Sequence, residues 1–151
     1  MTETIYDKIV RKEIESYPVW ESEHYLAFLT PYPNTPGLTI VIPKRNPGDY
    51  VFNLDNDEYH SLMDAAQQVA KVLEKALDVK RVAMVFEGTG IAHVHAKLYP
   101  LYGALASQTD VWSAETEFIK EYRGYITTIE GPEMDADELI AMQKKIRAAQ
   151  E

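Results

Sequence analysis

The sequence contains no cysteine, which excludes a disulfide framework, a thiolate zinc site and a cysteine nucleophile. Any catalysis therefore falls to serine or threonine, histidine, lysine or carboxylates. Positive charge is also scarce: 15 Lys and Arg stand against 24 Asp and Glu, a formal net charge of −9. Such a surface repels a polyphosphate backbone, so extended nucleic acid is not an expected partner, while a small nucleotide in a local pocket is permitted. No apolar run approaches the ~20 residues that cross a bilayer. The opening residues, Met1-Thr2-Glu3-Thr4-Ile5-Tyr6-Asp7, lack the basic and apolar blocks of a signal peptide. The expectation is a cytoplasmic protein without a membrane partner.

What is present is an ordinary globular composition, 46% apolar and 26% charged over 151 residues, enough for one good core. Thr4 to Lys12 suits a short helix with Ile5, Ile9 and Tyr6 on its apolar face, Thr4 as N-cap and Asp7 three residues on. Strands are expected at Val19–Glu21, Tyr25–Leu29 and Leu38–Ile42, the last two joined by a stiff connection containing Pro31, Pro33, Asn34, Pro36 and Gly37. From Asp55 to Leu77, apolar residues recur at three- and four-residue spacing behind an N-cap candidate, Asp55, the strongest helical signal in the chain. Val82–Phe86 reads as a buried strand, Glu87-Gly88-Thr89-Gly90 as a turn and Ile91–Leu101 as a further strand. Beyond it come a loop over 102–110, a short helix Glu115–Tyr122, a strand Tyr125–Ile129 and an amphipathic helix Asp135–Arg147. The fold class is α+β: one antiparallel sheet, a long central helix and a C-terminal α/β extension. Residues 1–105 are expected to form the principal domain, with 106–151 packed on it or on a second copy.

Two of the four histidines lie in His93-Val94-His95-Ala96-Lys97-Leu98-Tyr99. Side chains alternate across a strand, so His93, His95, Lys97 and Tyr99 share one face while Val94, Ala96 and Leu98 share the other. Two imidazoles, an ammonium and a phenol in one row are costly unless water, a ligand or partners satisfy them. Gly88-Thr89-Gly90, just upstream, offers flexible backbone whose N–H groups suit a phosphate oxygen. His24 lies in a polar turn and is expected in solvent, and His60 is expected at a surface or interface. Trp112, Phe118, Tyr122 and Tyr125 are read as packing for the extension. A divalent metal held by His93 and His95, completed by a carboxylate such as Glu87, is an alternative, although two histidines fall short of the usual tetrahedral set.

The segment His93 to Pro100 resembles the strand motif of the histidine triad (HIT) family, His-φ-His-φ-His-φ-φ with φ apolar, with Lys97 in place of the third histidine. Ile5 to Ile14 is similar to the family's opening segment, and Leu26-Ala27-Phe28 followed by Pro36 to Lys44 to its central hairpin, a likeness spanning roughly residues 4–101. The resemblance implies a HIT-like fold, a homodimer, no cofactor, and a purine nucleotide or nucleotide conjugate as ligand. It implies a nucleotide hydrolase or nucleotidyl transferase acting on the α-phosphate of nucleoside phosphoramidates or dinucleoside polyphosphates. His95 would be the nucleophile and carry the nucleotidyl intermediate, and His93 would orient it. Gly88, Thr89 and Gly90 would contact phosphate, Tyr6, Ile9 and Phe28 the base, and Thr30 the ribose. Lys97 would lower the His95 pKa and hold a phosphate oxygen or the leaving group. A weakly catalytic nucleotide-binding protein is the alternative. Leu38 stands where many members have histidine, and Thr30 where an acidic or amide side chain commonly meets the ribose.

Overall fold

The computed structural model describes residues 2–108, 110–111, 121–124 and 133–150. Helix α1 is Ile5–Val10, closed at its start by a reciprocal capping box between Thr4 and Asp7. It stops short of the expected Lys12, which takes a left-handed φ of 61° and turns the chain away. Strands β1 (Tyr17–Glu21), β2 (Tyr25–Leu29) and β3 (Thr39–Pro43) follow as an antiparallel meander. Helix α2 (Asn56–Leu77) begins where the Asp55 carboxylate accepts the Glu58 amide and ends at Asp78 in a left-handed conformation. Strands β4 (Val82–Val85) and β5 (Ala96–Pro100) complete, among the described residues, a five-stranded sheet of order β1-β2-β3-β5-β4, every pairing in it antiparallel. Helix α3 spans Ala136–Ala148 behind the N-cap Asp135. The expected helix 115–122 and strand 125–129 fall almost wholly outside the described residues.

The sheet is buried on both faces, which is why β2 reads as an unbroken apolar run. Tyr25, Ala27, Leu29, Val41, Ala96 and Leu98 pack under α2 and α3 with Leu62, Val69, Leu73, Leu139 and Ile146. Leu26, Phe28, Ile40, Ile42 and Tyr99 face the other way and meet Tyr6 and Ile9 of α1. Helix α3 also closes one sheet edge. The Gln143 and Gln150 side-chain amides, two helical turns apart, donate to the carbonyls of Pro18 and Val19 at 2.9 and 2.6 Å. Val19 is the extra residue at an irregularity in the β1–β2 register.

Two expectations need correction. The segment Val82–Phe86 is not a buried strand, because β4 lies at the opposite sheet edge with Met84 45% exposed. The ladder of β5 begins at Ala96 rather than Ile91. Its neighbours end at Pro43 and Val85, and the Val94 amide instead donates to the Gly48 carbonyl at 2.6 Å. The histidines thus sit on extended chain just ahead of the strand. The alternation of faces survives, since Val94 joins the α2 side.

Candidate active site

The loops 46–50 and 86–95 hold each other. Besides the Val94 bond, the Asn46 side-chain amide donates to Ala92 O at 2.9 Å while its oxygen accepts the Gly48 amide at 3.0 Å. Gly88 has φ +68°, and a Cβ on it would lie 2.9 Å from the Asp49 carbonyl oxygen, so glycine is required twice over.

His93 is fully buried. Its Nε2 donates to Pro43 O at 2.7 Å, an acceptor with no proton to offer, which fixes the proton of the neutral ring on Nε2. Nδ1 faces Thr4 Oγ1 at 3.4 Å and Asp7 Oδ1 at 3.8 Å. The capping box of α1 is therefore also the outer support of this histidine. His95 is 3% exposed, and its Nδ1 donates to the His93 carbonyl at 2.8 Å. In the neutral ring the lone pair is then on Nε2. The ring of Tyr6 stands roughly perpendicular to both imidazoles, with centroids 5.7 Å from His93 and 5.3 Å from His95.

Burial pushes the pKa of both imidazoles down from 6.5. For His95 the Lys97 ammonium and His93 add to that fall, while the bond to the His93 carbonyl and the Glu87 charge oppose it. Desolvation, more than Lys97, is thus what keeps the ring neutral. For His93 the Pro43 carbonyl and the Asp7 carboxylate oppose the effect of burial. The Asp7 carboxyl is held below its ordinary 3.8; burial opposes that fall, and the hydrogen bonds from Thr4 and the charges of His93 and Arg11 outweigh it.

His95 opens onto a cavity of about 70 Å³ lined also by Tyr6, Thr30, Thr89, Gly90 and Lys97. These residues expected at the site do come together. Ile9 and Phe28 lie beneath Tyr6 in the core layer, His93 lies behind His95, and Gly88 packs on Asp49; none of these lines the cavity. The lining adds Tyr32, Leu38, Ile40, Ile91 and Tyr99. Of these Tyr99 had a sequence signal, its place in the row of His93, His95 and Lys97, and Leu38 was marked by the resemblance as a position where many members have histidine. A neighbouring hollow of about 210 Å³ shares Thr30 and Leu38 and is walled by Met134, Glu138 and Met142 at the start of α3. Lys97 does not turn out to solvent: its Nζ lies 3.2 Å from Glu87 Oε1, with both side chains nearly buried.

A larger cleft of about 560 Å³ lies between β2, β3 and α2. Its cations Lys44 and Arg45 are paired with Glu21 and Glu58, and His24, on its rim, is 75% exposed. It lacks a buried nucleophile, so the chemistry points to the smaller cavity. The metal alternative finds no support in the geometry. Both ring nitrogens of His93 face protein atoms, and among the described residues no three His, Cys, Asp or Glu side chains converge as ligands.

An antiparallel sheet under a long helix, with a buried histidine pair ahead of an inner strand and a glycine turn before it, defines a histidine-site α+β protein. The chain belongs to the HIT domain family, whose model matches residues 11–102. It is 33% identical over 103 residues to an uncharacterised HIT-like protein of Mycoplasma genitalium, covering 65% of this chain and 72% of that one. A hypothetical histidine triad nucleotide-binding protein from Sulfolobus tokodaii superposes with a TM-score of 0.72 at 23% identity, covering 96% of this chain and 90% of that one. A HIT family hydrolase from Legionella pneumophila gives 0.59 at 22% identity, covering 67% and 95%. The first structural likeness includes the C-terminal extension, whereas the second covers only two thirds of the chain.

Proposed function

We propose that the protein is a nucleotide hydrolase or nucleotidyl transferase that attacks the α-phosphorus of a nucleoside phosphoramidate or dinucleoside polyphosphate with His95. The bond from His95 Nδ1 to the His93 carbonyl carries this reading, because it aims a neutral ring with its lone pair on Nε2. Family membership and the name of the Sulfolobus tokodaii relative support a nucleotide as the ligand, and the name of the Legionella pneumophila relative supports a hydrolase. The Nε2–P bond forms as the P–N or P–O bond breaks; the departing atom keeps the electron pair and takes a proton from the Lys97 ammonium. Water then attacks phosphorus, returns a proton to the Lys97 amine and releases neutral His95. Amides of Gly88–Gly90 donate to the phosphoryl oxygens. Tyr6 covers the imidazoles, and Thr30 serves the ribose. Ile9 and Phe28 back the base side through Tyr6, and His93 acts by positioning.

Incubation with both substrate classes, beside His95→Ala, tests the assignment. Turnover and a nucleotidyl adduct detectable by mass spectrometry are expected in the native protein and absent in the variant. Equal turnover by the two would remove His95 as nucleophile, and nucleotide affinity without turnover would leave a binding protein. We also read the protein as a homodimer, for which β4, paired only with β5 among the described residues and with Met84 exposed, supplies a strand to pair; sedimentation analysis checks this. The domain division at residue 105 is kept as a proposal, resting on the family match ending at residue 102.

A further inference from the structure

The Lys97 ammonium is paired with the Glu87 carboxylate. The register pairs Val85 with Lys97, so Glu87, two residues after Val85, comes to the same face of the sheet, where its Oε1 lies 3.2 Å from Lys97 Nζ. The Thr89 hydroxyl donates to the other carboxylate oxygen at 3.3 Å. Both ends of the pair are nearly withdrawn from water, at 12% and 13% exposure, where charges are felt more strongly than at the surface. Among the described residues Lys97 is the only Lys or Arg lining the cavity, and Glu87 is its counter-charge. The cavity therefore meets a phosphate with neutral donors and no net positive charge, on a chain whose total is −9.

We propose that Glu87 is a specificity-determining residue, whose carboxylate neutralises Lys97 beside His95 and so turns the site against leaving groups carrying several negative charges and toward neutral or cationic amines. The proposal rests on the nucleotide reading above and chooses between its two substrate classes. Distance makes the effect unavoidable. Alternate residues on one face are about 6–7 Å apart, so phosphorus in bonding range of His95 lies within one such step of the Glu87–Lys97 pair. A monoanionic phosphoramidate presents its single charge to the amides of the turn. A polyphosphate places further charges near a carboxylate and gains no unpaired cation in return.

The test compares kcat/KM for an adenosine 5′-phosphoramidate and for diadenosine tetraphosphate, which share the attacked phosphorus. The native protein prefers the phosphoramidate. In Glu87→Gln, which keeps shape and hydrogen bonding but removes the charge, the ratio moves toward the polyphosphate by about tenfold, the effect of one charge at this range and an intermediate dielectric. In Lys97→Met, which leaves Glu87 uncompensated but also removes the proton donor to the leaving group, the readout is affinity alone: binding of adenosine triphosphate weakens more than that of the monophosphate. Calorimetric affinities for adenosine monophosphate and triphosphate give the same comparison without turnover: Glu87→Gln gains more for the triphosphate. Native discrimination with the Glu87→Gln ratio and the affinities of both variants unmoved overturns the role of Glu87 while leaving the nucleotide reading intact. A native protein that neither binds nor turns over any of these compounds overturns both.

Discussion

The two glycines of the turn before the histidines differ in a way that isolates one contact. Gly88 and Gly90 both have left-handed φ, +68° and +84°, but a Cβ on Gly88 would meet the Asp49 carbonyl oxygen at 2.9 Å whereas one on Gly90 would meet nothing within 4 Å. Alanine in that region costs about 1–2 kcal/mol, so Gly90→Ala should destabilise by that amount alone. Gly88→Ala carries the same penalty plus a collision with backbone, which cannot swing aside as a side chain would. Overpacking of this kind adds a further ~1–2 kcal/mol, for a total of about 2–4 kcal/mol. At this chain length each kcal/mol is worth roughly 2–4 °C in Tm, so the two variants separate clearly in a thermal melt, and denaturant titration gives the energies directly.

The same collision has a functional consequence. Loop 86–95 can relieve it only by moving off loop 46–50, which breaks the Val94–Gly48 and Asn46–Ala92 bonds and shifts Glu87 and Thr89. Gly88→Ala should therefore lose at least about tenfold in turnover, a displacement effect of the size misplaced groups produce. Equal destabilisation by the two alanines, to within ~0.5 kcal/mol, would refute the idea that the Asp49 contact fixes this turn.

Neutral burial of His93 and His95 makes stability pH dependent. Their folded pKa values lie below 6.5, so as pH falls through that value the unfolded chain takes up protons the native state refuses. Stability is full above about pH 7 and should fall below it by up to ~1.4 kcal/mol per group per pH unit, as denaturant titrations between pH 7 and 5 will show; a flat profile contradicts buried neutral rings. Asp7→Asn retains an oxygen for the Thr4 cap but removes the charge facing His93 Nδ1. The His93 pKa should drop further, visible in its imidazole NMR titration, and no change would mean the 3.8 Å approach is not felt. Gln143→Ala and Gln150→Ala each strip a carbonyl of β1 of its donor, at about 1 kcal/mol apiece. Hydrogen exchange should quicken in β1 and not in β5; uniform quickening would point to global destabilisation instead.

Sequence periodicity located α2 to within one residue because its apolar stripe is long and its cap lies in the adjacent residue. The order of faces around the histidines was equally legible, since extended chain alternates whether or not a neighbour completes the ladder. What periodicity cannot encode is which tertiary partner each side chain meets. Asp7 was visible as a capping residue but not as a neighbour of His93, 86 positions away in sequence. Glu87 was visible as a carboxylate that could complete a metal site with His93 and His95, but not as the partner of Lys97, because that pairing is set by the β4–β5 register.

That dependence makes the length of the turn a functional quantity. Phe86 packs toward α2 and Val85 toward α1, so Glu87 owes its place beside Lys97 to being two residues beyond Val85. One residue inserted between Phe86 and Glu87 would send the carboxylate to the opposite face while leaving every strand pairing intact. Lys97 would then keep its position but lose its counter-charge, and the insertion should reproduce the substrate ratio of Glu87→Gln. A ratio left at the native value would mean that the carboxylate does not set the preference.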